Sequence, residues 1–482
     1  MKGTRATTYS GAGGVGVWSR PGSFGTLQAL RFLAPRIALA LVLASAGIVL
    51  VSQLTGGTSG RVATTETPTV TRGPPPPRPS QGSRLPSLHA VNVVQQWYVD
   101  AAAGSDATGD GSSGRPWKSV QRAADYLRSS ATWPSSGDVA VNLRPTGVYK
   151  TTTDPSATLY LDFDSAGRAP NASRWLVWRR DPAYSGRAVI ANPDGSDADK
   201  YGVVVSNAAY DNYMVFDRIR FTGESVPKGL AGSNGASTGV YLEGNNNHHF
   251  EFRNFEFDGF RQTNAASYES VEGVMQTGTS GPLSFVNGVI HDIATPGSGG
   301  AGGHGVYLHG ESGILLLNVL AYKMNHGFAF QFYSSGGGVP GNGAIVSHCT
   351  VVDDGFGANG GTIILPGADS NVKIVNSILA YNGSAAAIHF YPVGSGSSND
   401  GDHLLFYSNS GGNHDSSNGW TWTNNLTQNP LFVDRANRDY HLQASSPAIG
   451  YSDTAYSPAT DLDGNPRPPG AEDAGAYERV VP

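Results

Sequence analysis

The densest run of proton-transferring side chains in this chain is His304-Gly-Val-Tyr307-Leu-His309. An imidazole titrates near neutral pH, so one His can serve as a base while the Tyr307 phenol serves as an acid. The plainer alternative is an exposed polar strand edge with His304 bonding a turn. Strand alternation decides which neighbours would share that surface. If Val240 and Leu242 point inward, Tyr241 and Glu243 point out. The same phase turns Tyr307 and His309 outward, then Gln331 and Tyr333, then His389 and Tyr391, while Phe328, Phe330 and Phe332 fill a core. His309, Tyr307, His304 and Glu243 are therefore the candidates for proton transfer. Gln331, Tyr333, Tyr241, His389 and Tyr391 are the candidates for holding a ligand.

Other side chains carry less. Lys323 is a possible base but falls on another sheet, and a turn role suits His326. Asp194-Gly-Ser-Asp197-Ala-Asp199 spaces oxygen ligands plausibly for calcium but lacks the rest of an EF-hand loop, so it reads as a solvated turn. Asp100, Asp106 and Asp110 read the same way, and no metal site is assigned. The single cysteine, Cys349, sits in a strand, cannot form an internal disulfide, and reads as a small core residue.

The elements that position these residues repeat. An apolar-x-Asn-x-x-apolar frame runs through Phe252-Arg-Asn254-Phe-Glu-Phe257, Phe285-Val-Asn287-Gly-Val-Ile290, Leu316-Leu-Asn318-Val-Leu-Ala321 and Ile374-Val-Asn376-Ser-Ile-Leu379. Val346-Ser-His348-Cys-Thr-Val351 fits with His in the Asn slot, and Phe216-Asp-Arg218-Ile-Arg-Phe221 is a weaker first copy. From residue 218 the steps are 36, 33, 31, 30 and 28 residues, the mark of a solenoid. A Gly-led strand returns out of phase, at Gly202, Gly239, Gly273, Gly305, Gly327 and Gly361. Each repeat thus holds three short strands, and the fold class is all-β: a right-handed parallel β-helix of three sheets. The Asn at each bend can bond the bends above and below, so a ladder inside the stack is expected, with His348 as one of its members. The 64 glycines and the absence of a 3.6-residue period argue against helical repeats.

Five regions follow. Residues 1–36 form a basic leader holding Lys2, Arg5, Arg20, Arg31 and Arg36 and no acid. Residues 37–54 are apolar enough to span a bilayer once, with the leader cytoplasmic. Cleavage near Ala44-Ser-Ala46 and secretion is the alternative. Residues 55–96, with Pro74-Pro-Pro-Pro77, read as a disordered stalk. The β-helix then occupies 97–450 and a closing segment 451–482. Of 32 Lys/Arg and 38 Asp/Glu, nine bases and one acid lie in residues 1–96, which leaves 23 bases against 37 acids beyond, a net of −14. So acidic an ectodomain excludes nucleic acid as a partner. A monomer is expected.

The open ends of a β-helix must be covered. Ser119 to Ser130 reads as a short amphipathic capping helix with Val120, Ala123, Ala124 and Leu127 inward. Around it, Tyr98-Val-Asp, Gly104-Ser-Asp106, Gly109-Asp-Gly and Pro116-Trp-Lys-Ser-Val-Gln121 resemble the opening of bacterial pectate-lyase-like β-helix proteins. Asn429-Pro-Leu-Phe-Val-Asp434, Asp439-Tyr-His-Leu442, Ser446-Pro-Ala-Ile449, Asp461-Leu-Asp-Gly-Asn-Pro-Arg467 and Asp473-Ala-Gly-Ala-Tyr-Glu478 are similar to the closing segments of such extracellular proteins. The resemblance covers residues 97–480 and implies the fold. It spans polysaccharide lyases, uronate epimerases, glycoside hydrolases and non-enzymes, so it does not fix an activity.

In such enzymes an outward face like that of Tyr241, Tyr307 and His309 carries the substrate groove, and tyrosine rings suit sugar faces. The insertions at Thr222–Ser237, Arg261–Glu272, Thr295–Gly303 and Ser334–Gly341 would border it. The resemblance thus implies an anchored extracellular enzyme acting on a polysaccharide or cell-wall glycan, as a lyase or uronate epimerase. Both reactions remove the proton beside a uronate carboxylate and need a cation for the developing charge. Arginine is sparse on this face, so either Ca²⁺ supplies that charge or the substrate is not a polyuronide. Gly303-His304-Gly305 and Asp353-Asp354 resemble polygalacturonase elements, but the order is wrong and no carboxyl pair for inversion emerges. A non-catalytic glycan-binding or spacer protein and a glycoside hydrolase are the alternatives.

Overall fold

A computed structural model describes residues 83–480, apart from short segments at 152–155, 164, 194–199, 207–211, 224–236, 245–246, 262–270, 279–280, 295–301, 310–311, 334–340, 356–360, 366–369, 384, 391–394 and 416–417. The leader, the apolar segment, the insertions in large part, Asp194 to Asp199 and Tyr391 lie outside the described residues. Among the described residues no helix is long and apolar enough to cross a membrane.

The central rungs contribute strands to three faces, and all strand pairs between rungs are parallel. The first face begins at Val93–Asp100 and passes through Met214–Asp217 and Phe250–Arg253 to Lys373–Val375 and beyond. The second includes Ile219–Thr222, Glu256–Asp258, Thr350–Val352 and Ile378–Ala380. Leu283–Ala294 and Leu315–Asn325 run through both. The third face stacks eight strands, from Ala157–Leu161 through Ser237–Leu242, Val271–Gln276, Gly303–His309 and Phe328–Tyr333 to Ile388–Phe390. The coil is a parallel β-helix. The helix Val120–Ser129 forms as the sequence predicts, with Ser119 accepting from the Arg122 amide and the four expected residues buried.

The repeated frame marks the bend between the first and second faces. Arg218, Asn254, Asn287, Asn318, His348 and Asn376 stand there on successive rungs, all left-handed, with φ between 51° and 57°. Asn tolerates that conformation better than most residues, which is the main reason for its recurrence. The ladder inside the stack needs correction. Asn318 donates to Asn287 at 2.9 Å, but Asn254 donates to Asp217 at 2.6 Å, and Asn376 donates to the Asp453 carbonyl at 2.9 Å. Nε2 of His348 lies 3.3 Å from Ser457 Oγ. The interior beside this column is filled instead by the apolar flanks, where Phe216, Phe252 and Phe285 stack at 5.3 and 5.0 Å. Leaving the inside dry and apolar gains about 1.5–3 kcal/mol per buried large side chain. Asn318, His348 and Asn376 meet the closing segment.

That segment does more than end the coil. After the last short coil strand, Leu426–Thr427, the chain forms an antiparallel hairpin, Phe432–Asp434 with Asp439–Leu442, joined by a turn at Arg435–Asn437. Phe432, Tyr440, Leu442, Ala448, Ala474 and Ala476 then pack against Leu320, Tyr322, Val352, Ile378 and Leu405 on the second face. Coverage runs along the side of the later rungs.

The end of the segment expected to be disordered is ordered. Residues 84–92 form an ordered strap along the first face, at right angles to its strands. The Arg84 amide donates to Ala455, Leu85 and Leu88 pack on Val286, Leu315 and Leu317, and the His89 amide donates to Glu251 at 2.8 Å. The His89 ring stacks on Trp175 at 4.2 Å, and the Asn92 amide donates to Asp138. Two leucines spaced among polar residues gave too weak a periodicity to betray it.

Candidate functional site

The Gly-led strands of the third face have a steric cause. A Cβ on Gly239, Gly273 or Gly305 would lie 2.5, 2.6 or 2.4 Å from the carbonyl oxygen of the next rung. Only glycine lets neighbouring rungs approach there. Two residues beyond, the strands present one continuous row in register: Tyr160, Val204, Tyr241, Met275, Tyr307, Gln331, Ile364 and His389. At roughly 4.8 Å per rung, its seven steps run about 34 Å along the coil. Tyr241 stacks on Tyr201 at 5.1 Å, and its hydroxyl lies 3.4 Å from Thr277 Oγ1. His309 pairs in register with Tyr333, whose side chain is not described, and Glu243 is exposed at the end of its strand.

Within the row, the Tyr307 ring lies 4.6 Å from that of His309 and 5.1 Å from that of His304. His309 is half-buried, and burial lowers its pKa below the usual 6.5, so the imidazole is neutral at neutral pH and fit to accept a proton. The amide of Gln276, on the preceding rung, accepts from the His309 backbone N–H at 3.2 Å. Gln331 is largely buried beside Tyr307. His389 lies 2.5 Å from Asp415 and keeps partial exposure.

His304 must be withdrawn from the solvent-facing set. It is buried, its Nδ1 accepts from the Phe328 amide at 3.1 Å, and burial lowers its pKa to about 3. Its register partner Glu272 is wholly buried and accepts from Thr238 Oγ1 at 2.8 Å. The remaining sequence readings hold a structural place. Cys349 is fully buried with its thiol pKa raised to about 12 by that burial, His326 sits in a left-handed turn, and the carboxylates of Asp100, Asp106 and Asp110 accept backbone N–H groups of their own loops.

Sequence reading passed over a second polar assembly, on the second face. Arg220 forks onto Asp258 at 2.7 and 2.6 Å, and Arg187 donates to Glu256 at 2.8 Å. Nε2 of His291 lies 3.5 Å from Glu256 and its Nδ1 2.8 Å from Asp292, while its ring stacks on Tyr322 at 4.9 Å. Glu256, Asp258 and His291 are close enough to share a metal ion, but the two guanidinium groups already occupy the carboxylates. Register is what could have found this assembly, because Asp258, His291 and Tyr322 share one row.

Burial alone would lower the His291 pKa. The hydrogen bonds with Asp292 and Glu256, with Asp258 nearby, overcome it and raise the value to about 9. A raised histidine stabilises the fold fully below its unfolded pKa of 6.5 and loses that contribution as pH climbs through about 9. A shift of that size corresponds to roughly 3 kcal/mol. Melting temperature should therefore fall over this window in the native chain, and His291→Gln should flatten the fall. Parallel curves for the two proteins would remove His291 from the balance.

Among solved structures the chain is similar to a rhamnogalacturonan lyase, at 13% identity over 73% of this chain and 95% of that one, with a TM-score of 0.44. It is similar to a glycoside hydrolase at 8% identity, over 73% and 99%, with a TM-score of 0.45. An alginate lyase from a Paenibacillus species is 15% identical over 63% and 97%, with a TM-score of 0.39. The activities named are those proteins' own. No family model and no curated protein matches the chain.

Proposed function

We propose that the third face binds an extended polysaccharide and that His309 and Tyr307 act on it, as a polysaccharide lyase or uronate epimerase. The observation that carries this reading is the row of about 34 Å in register, because a small metabolite needs no surface of that length. Tyr241 and Tyr307 offer ring faces to sugars, and the Gln331 amide offers donors to a developing negative charge. Neutral His309 takes the proton beside the carboxylate, and the Tyr307 hydroxyl returns or passes one to the leaving oxygen. The row holds no Lys or Arg, so neutralising a uronate there calls for Ca²⁺ carried with the substrate. The basic leader and the apolar residues 37–54 support a place on the outer face of the cell membrane.

The test is incubation of the full-length chain with a panel of acidic and neutral glycans, with and without Ca²⁺. The readouts are the ultraviolet absorbance of unsaturated uronates and, for epimerisation, solvent deuterium incorporation. Product from an acidic glycan, found with the membrane fraction, is expected. Tight binding with neither product nor exchange would leave a glycan-binding protein. Activity confined to the soluble fraction would dismiss the anchor.

A further inference from the structure

A cleft of about 590 Å³ opens where the second face turns toward the third, beneath the closing hairpin. One wall is Lys323, Met324, Asn325 and Asp353; Lys323 and Asp353 belong to a second column of left-handed residues, with Asp292 and Tyr381, on successive rungs with φ from 54° to 61°. The other wall comes from the hairpin. Arg438 donates to Asp292 at 2.8 Å, Arg435 donates from Nε to both oxygens of Asp353 at 3.0 and 3.1 Å, and the Tyr440 hydroxyl donates to Asp353 at 3.2 Å. The Arg435 guanidinium also lies 3.5 Å from the Tyr381 ring centre. Each hairpin arginine is thus matched by one carboxylate of the column.

Lys323 is the exception. It stands between the two aspartates, is exposed, and forms no ion pair with any described residue. Lys323, Arg435 and Arg438 against Asp292 and Asp353 leave one positive charge in the cleft, in a part of the chain whose net charge is −14. We infer that this cleft is a binding site for a carboxylate-bearing sugar, a uronate, with the Lys323 ammonium on the carboxylate. The volume suits a sugar ring and exceeds what a bare inorganic anion fills. Sugar hydroxyl groups also find donors here, since each guanidinium has five N–H groups and its aspartate partner takes only some of them. The site lies on a different face from the tyrosine row and does not depend on the row being catalytic.

The test is calorimetric titration of the full-length chain with glucuronate, glucose and acetate. Glucuronate should bind, and the other two should bind at least tenfold more weakly. Lys323→Asn keeps a residue suited to the left-handed turn and should leave the melting temperature unchanged. It should weaken glucuronate by about tenfold or more, the usual worth of a charge-assisted hydrogen bond. Lys323→Glu should abolish binding. His309→Ala should leave the titration as it was. Unchanged affinity in Lys323→Asn, or loss in His309→Ala instead, would overturn the assignment. Acetate binding as tightly as glucuronate would overturn the sugar.

Discussion

Arg467→Ala is expected to destabilise the protein by about 3–5 kcal/mol, the usual cost of stripping one partner from a buried ion pair. The Arg467 side chain is fully buried in the closing segment. Nη1 donates to Glu478 at 3.0 Å and the Asp473 carbonyl at 2.9 Å; Nη2 donates to Asn318 at 3.1 Å and the Gly475 carbonyl at 2.8 Å. One guanidinium therefore ties the closing segment to itself and to the bend column of the coil. Burial, with Asp473 beside it, already raises the Glu478 carboxyl to about 7. Without Arg467 that carboxyl rises further and stays protonated at neutral pH, which limits the loss. A carboxyl raised in the folded state favours folding at low pH, and the benefit fades as pH climbs from 4.5 through the raised value. The Arg467→Ala deficit should accordingly shrink in acid. Pairing Arg467→Met with Glu478→Leu should recover much of the stability, since apolar replacement of a whole buried pair costs little. A denaturation midpoint for Arg467→Ala within error of the native value would mean that the closing segment contributes nothing to the fold.

His309→Ala should lower turnover by about 10²–10⁴-fold, the range for a positioned base, once a substrate is in hand. Its half-exposed ring contributes little to the core, so the melting temperature should barely move. Because burial holds the imidazole neutral, the acidic limb of the rate profile should lie below pH 6.5 in the native chain. It should vanish in the variant. Tyr307→Phe keeps the ring and loses the hydroxyl, so it should reduce kcat while KM stays close to native. Native rates in both variants would move the chemistry away from the third face.

The repeat was legible because each bend needs a left-handed residue and each rung needs apolar flanks, so Asn254, Asn287, Asn318 and Asn376 announced themselves by type and spacing. The shared row of Tyr241, Tyr307, Gln331 and His389 followed from counting by twos along strands. Nearness in sequence alone groups His304 with Tyr307, although the same counting puts it in the inward phase of Val306 and Leu308. The cleft at Lys323 was harder still. The partners that meet across it lie 82 and 146 residues apart in sequence, and Arg435 and Arg438 read as ordinary loop charges until the hairpin is folded back. The ladder was misplaced for a related reason. Periodicity locates a bend residue on its rung, but not whether its amide turns inward or toward a later segment of chain.

The strap at residues 84–92 also constrains the order in which the molecule can assemble. As the ribosome delivers the chain, these residues emerge before any rung exists to receive them. The Arg84 amide bonds the carbonyl of Ala455, which is made 371 residues later. The coil can wind progressively, each rung templating the next, but the strap must wait. Closing so long a loop is only modestly dearer in entropy than closing a short one; what it requires is a finished product. The first-made of the described segments is thus among the last to dock, and its docking reports that the polypeptide has been completed to its closing turns.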